Sequence, residues 1–301
     1  MSTQANTASG SFESSVASPV LTVPRPFYWS VRRELWEHRS IYIAPLAVAG
    51  VALFGFLIAT IGRAMATHDL AQRRAVLEEP YHFAIALIMG AYFIVSIFYS
   101  VDALYGERRD RSILFWKSLP VSDLTTVLAK ASIPLMVLPL LSFAIAVVTL
   151  WIMALLSTAV LWGSGLSART LWTQVSHFQI SLLYHLVTVH MLWYAPIYGW
   201  LLLVSAWARR APILWATLPV LAIGALEKIA FNTTHIAALV KYRFTGPEDF
   251  DFPASGKYPM GPMSHSSFGN FLGHPGLWLG FAFAAVFLAA AIRQRRYQGP
   301  V

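Results

Sequence analysis

Nine histidines are the first residues in this chain whose type could support chemistry. A metal ion or a haem iron needs imidazoles that converge from one helix face or from two facing helices. His177, His185 and His190 share one largely apolar stretch. At about 100° per residue, His185 and His190 project about 140° apart on a straight α-helix and cannot chelate together. An axial haem pair would need two helices, for example His82 and His177, both near the end of a span, where a histidine is ordinary. Gly163-Ser164-Gly165 superficially matches an intramembrane serine site. It lies at the end of a span with no histidine placed to activate it, so a flexible span end is the better reading.

Other chemistry is missing. There is no G-x-x-x-x-G-K-[ST] phosphate cradle and no H-E-x-x-H zinc pair. Cysteine is absent, which excludes disulfides and thiolate metal sites. Acidic residues avoid the apolar runs, with Asp102 and Glu227 only at their edges. Ion-coupled carriers hold ionisable groups near mid-membrane, so a self-powered carrier is disfavoured. What remains is the segment from Leu104 to Lys130, LYGERRDRSILFWKSLPVSDLTTVLAK, charged and aromatic. It is preceded by 21 residues, Tyr81–Val101, and followed by 38 residues, Ala131–Ala168, without Asp, Glu, Lys or Arg. A short charged loop held between two such runs reads as a docking point for a soluble partner.

Hydrophobic residues make up 57% of the chain and charged residues 12%, against roughly 45–50% and about 25% in soluble domains. Mean hydropathy is +0.58. About 20 consecutive apolar residues cross a bilayer as one helix, and six runs qualify: 41–61, 81–101, 132–156, 180–203, 212–230 and 275–292. Their apolarity does not alternate, so helices rather than a barrel must satisfy the backbone. The expected fold is an all-α integral membrane protein. An N-terminal amphipathic interfacial helix, 24–40, precedes the six spans of 41–292, with short outer helices before the last span. Phe27, Val31 and Leu35 fall on one face of that first helix, while Arg32, Arg33, Glu37 and Arg39 lie largely elsewhere.

With both termini cytosolic, 14 of the 22 Lys and Arg lie inside, as the positive-inside rule requires. Residues 1–23, rich in Ser, Thr and Ala, read as a disordered cytosolic tail without a secretory signal, and 293–301 as a second tail. The loop 104–130 is then cytosolic and 227–274 is outer. The net charge of +8 is mostly a topology signal, not a nucleic-acid site.

Gly106-Glu107-Arg108-Arg109-Asp110-Arg111-Ser112, followed by Lys117-Ser118-Leu119-Pro120-Val121-Ser122 and Lys130, resembles the first inner loop of ABC-2-type transporter permeases. The plan of connector helix, six spans and outer excursion is similar as well. The resemblance implies a non-enzymatic transport subunit, an exporter in a cell's inner (cytoplasmic) membrane. It would pair with a second permease, a copy of itself in preference to a different chain, and with two ATPase subunits that bind ATP and Mg. This chain would bind no cofactor.

Glu107, Arg108, Arg109, Asp110 and Arg111 would extend the second helix into the cytosol. Ile113, Leu114, Phe115 and Trp116, flanked by Lys117, would form a coupling helix that enters a groove on the ATPase, with Arg209 and Arg210 as a further contact or as topology anchors. In this family the second and fifth spans line the path. Tyr92, Ser96 and Tyr99 form a polar stripe on the second span, and Tyr184, Thr188 and Met191 one on the fourth. Substrate path and helix–helix hydrogen bonding both remain open for them. Two other function classes also remain: a membrane-embedded redox or metal protein using the histidines, and a non-transporting anchor for a soluble partner.

Overall fold

The computed structural model describes residues 26–64, 70–161, 168–245, 268–297 and 299. The first tail, Gly163–Gly165, residues 246–267 of the outer loop and the last residues therefore lie outside the described residues. The described chain is helical, with no strand among the described residues. Helix α1 (Pro26–Glu37) leads through a turn at His38 and Arg39 into α2 (Ser40–Ala64), and α3 (Leu70–Asp102) returns. Three short elements follow at the end where α3 finishes: α4 (Tyr105–Arg109), α5 (Ser112–Ser118) and α6 (Asp123–Ser132). A π-helical turn, Ile133–Val137, joins α6 to α7 (Leu138–Leu161). Next come α8 (Ala168–His185), a second π-helical stretch (Leu186–Trp193) and α9 (Ala195–Trp207). The chain then runs through α10 (Pro212–Phe231), α11 (His235–Thr245), α12 (Phe268–Gly273) and α13 (Pro275–Tyr297).

Among the described residues, five helical runs are long and apolar enough to cross a membrane. A sixth is counted if Leu171–Trp193 and Ala195–Trp207 form one span, bent by 44°. The fourth expected span, 180–203, is thus not one straight helix. Tyr194 leaves helical geometry at φ −84° and ψ 1°, and Pro196 starts α9 within its first two positions, where its missing N–H does no harm. Helix α3 is longer than the second expected span and begins at Leu70, while its apolar spanning part begins at Pro80.

The core lies between α2, α3, α7 and α8, where Phe56, Tyr81, Ile88, Leu150 and Met153 are buried. Helix α9 lies closely against α13: a Cβ on Gly199 would stand 3.3 Å from the Ala284 backbone. Small residues permit such backbone approach. Helix α10 buries only Ala216 and is fastened by the Trp200 indole, which donates to the Ala216 carbonyl at 3.1 Å. Lipid-compatible side chains such as Leu221, Leu226 and Trp278 stand exposed around the bundle.

Candidate functional site: a charged cluster behind the exposed helix α5

The loop singled out by sequence folds into three rigid pieces. Pro120 stops α5, and Ser122 starts α6 as its N-cap, accepting from the Thr125 amide at 3.1 Å. A Ser at this position satisfies one of the orphan donors of a helix start. Arg111, at φ 58°, turns the chain sharply between α4 and α5. A turn at Ala103 and Leu104 interrupts the second helix, but the run resumes in α4 as far as Arg109, so Glu107, Arg108 and Arg109 prolong it while Asp110 and Arg111 lie in the turn beyond.

The Ser205 hydroxyl of α9 fastens that turn, accepting from the amides of Leu104 and Tyr105 at 2.9 Å each. In return, the Arg108 guanidinium donates to the carbonyls of Ala206 and Ala208 at the end of α9. Carbonyls at a helix C-terminus have no partner within the helix and attract a cation. Helix α4 and the end of α9 are therefore fastened to each other from both sides.

Behind them lies a buried charge cluster. Glu34 of α1 accepts from Lys130 of α6 at 2.9 Å and from Arg33 at 2.6 Å, and its other oxygen accepts from the Tyr99 phenol at 2.8 Å. Lys130 also pairs with Glu107 of α4 at 3.2 Å, and Arg33 meets the same carboxylate at 3.0 Å. Arg295, near the end of α13, pairs with Glu107 and reaches Asp123 at 3.1 Å. Three cations meet three carboxylates here, and Glu37, half-exposed, reaches Arg33 from the rim at 3.5 Å. Glu34 and Lys130 are each 1% exposed, so neither survives without its partners, because an unpaired buried charge loses its hydration uncompensated. Burial pushes the Glu34 carboxyl up, but Lys130 and Arg33 outweigh it and hold the group at about 2. Four elements distant in sequence are thus tied together at one end of the bundle.

Helix α5 rests on this base. Ile113 is buried, and the Trp116 ring lies under the Arg33 guanidinium at 3.7 Å. Leu114 and Phe115 point away, 59% and 60% exposed. Of the residues the sequence grouped as a contact surface, Arg109, Asp110, Arg111, Lys117, Arg209 and Arg210 are exposed, while Glu107 and Arg108 face inward.

The polar stripes lie inside the chain. Tyr92 meets the Tyr198 hydroxyl at 3.0 Å and the Pro134 carbonyl at 3.2 Å, and Ser96 is fully buried beside it. Tyr99 is held by Glu34. Thr188 returns its hydroxyl to the Tyr184 carbonyl at 2.8 Å, and Met191 is partly buried against the core. The histidine geometry differs from that of a straight α-helix. Through the π-helical stretch the backbone bonds run i to i+5, which brings His185 and His190 toward one face. His190 is buried between the rings of Tyr92 and Tyr194. One trio with metal-ligand spacing occurs among the described residues, Glu34, Glu37 and His38, within 4.8 Å. There a cation would face Lys130 and Arg33, so those residues do not fit a metal.

Sequence reasoning missed Glu34, Asp123 and Arg295, and read Lys130 only as part of a motif. One signal was present: Glu34 lies on the face of Val31 and Leu35, at i+3 and i−1, and a carboxylate amid an apolar face announces a buried partner. No protein-family model, curated protein or solved structure matches the chain.

Proposed function

We propose that this chain is the membrane permease subunit of an ABC-2-type ATP-binding-cassette exporter, driven by a separate ATPase that docks on α5. The single observation behind this reading is the exposed pair Leu114 and Phe115 on a short helix whose opposite face is anchored. An apolar anchor fixed to a rigid base transmits displacement, whereas a flexible polar loop absorbs it. Displacement of α5 and α4 passes to α9 through Ser205 and Arg108. It passes to α1 and α13 through Glu107, Lys130 and Arg295. At its other end, helix α9 begins at the 44° bend that follows the π-helical stretch, a hinge of the kind that π-turns supply.

In this reading the six spans sit in a cytoplasmic membrane with both termini and α5 in the cytosol, and α1 lies at the interface with Phe27, Trp29 and Trp36 outward. The permease works as a homodimer with two ATPases, which bind ATP and Mg. The chain itself performs no hydrolysis.

The test is reconstitution with the ATPase that copurifies. L114A and F115A together should abolish cargo-stimulated hydrolysis while leaving the thermal stability of the permease intact. Unchanged coupling refutes the assigned role of α5. An ATPase that binds but never responds to cargo would favour a membrane anchor instead.

A further inference from the structure

A cavity of about 580 Å³ lies where α3 ends, between α3, the α1–α2 turn and the start of α10. Ligand pockets run from about 300 to 1,000 Å³, so the space suits a headgroup with the upper part of its chains. One wall is apolar, built by Ile94, Val95 and Phe98 of α3 and by Ile213 of α10. Ile94 and Phe98, one turn apart, are 55% and 60% exposed, so the wall continues out of the cavity along the helix. The other end is polar and of mixed sign. Arg109 and Asp102 both line it, paired only loosely at 3.7 Å and each about half-exposed. Tyr105 stands beside Arg109, with the guanidinium 5.7 Å from its ring centroid, and His38 closes the opposite side.

We propose that this cavity binds one zwitterionic phospholipid. Its phosphodiester meets the Arg109 guanidinium, its ammonium meets the Asp102 carboxylate, and its acyl chains follow Ile94 and Phe98. The charge pattern selects the class. An anionic headgroup would set its charge beside Asp102 and beside Asp110, which holds Arg109 at 3.0 Å. A cationic amphiphile would set its charge against Arg109. A zwitterion matches both, and charge-assisted bonds are the stronger ones. The depth fits too, since the charged pair stands where α3 leaves its apolar run, the level at which headgroups and aromatic rings meet. The site is independent of the permease reading, because a lipid held here can be cargo or a fixed component.

The experiment uses the full chain, delipidated in detergent and offered equal amounts of phosphatidylethanolamine, phosphatidylcholine and phosphatidylglycerol, with bound lipid counted by native mass spectrometry. One ethanolamine or choline lipid should be retained in preference to glycerol lipid by about tenfold. The ratio of the first two separates a primary from a quaternary ammonium contact. D102N should erase that preference, R109Q should weaken all three lipids, and I94W should obstruct the apolar wall and displace the lipid without moving the melting temperature. Phosphatidylglycerol bound as well as the zwitterions overturns the proposal. So does zwitterion retention unchanged by D102N and R109Q.

Discussion

Neutralising Glu34 tests whether the buried cluster holds α1 to the bundle. In Glu34→Gln the amide still accepts from Tyr99 but leaves Lys130, 1% exposed, with Glu107 as its only carboxylate. The folded carboxyl sits at about 2 against an ordinary 4.5. At about 1.4 kcal/mol per pKa unit that is on the order of 3 kcal/mol of stability at neutral pH. For a chain of this size it corresponds to a fall in Tm on the order of 5–10 °C.

The folded state is the stronger acid, so the unfolded chain takes up the proton first and acid favours unfolding. The Glu34 contribution is complete above pH 4.5 and drains away as the pH falls through about 2. Tryptophan-fluorescence melts of protein in nanodiscs, taken from pH 7 down to 3, read both effects. The wild type should lose stability below pH 4.5, while Glu34→Gln should start lower and decline less. Glu37→Gln, whose side chain is 43% exposed, is the control and should leave the melt within about 1 °C, since exposed pairs contribute little. A Glu34→Gln melt that matches wild type at pH 7 and follows the same acid slope would refute the cluster as the fastening of α1.

Ser205→Ala removes the acceptor of two amides, one buried and one partly buried, at a cost of about 1–3 kcal/mol. Hydrogen exchange at Leu104 and Tyr105 should accelerate even if the rest of the map is unchanged. Gly199→Ala places a Cβ 3.3 Å from the Ala284 backbone, which no rotamer change can relieve, so the Tm should fall. Gly55→Ala, with nothing within 4 Å of the added carbon, should raise stability by about 0.5–1 kcal/mol, because a mid-helix glycine sacrifices backbone entropy. The reverse order of the two glycine variants in a thermal melt would contradict the α9–α13 packing.

Local pattern alone determined much of this protein. Apolar runs of about 20 residues specify spanning helices, because a bilayer leaves the backbone no other partner. Pro120 and Ser122 mark the break between α5 and α6 because one cannot continue a helix and the other caps the next. The tertiary structure decided which charges of that loop face solvent. Glu107 and Arg108 read like their neighbours Arg109 and Asp110, yet they turn inward because Lys130, Arg295 and the end of α9 converge there from distant segments. It also decided that the fourth apolar run is bent, since composition is blind to the geometry at Tyr194. Hydropathy is a sum over neighbours in the chain. Pairing and bending depend on neighbours in space, and those exist only once the helices have packed.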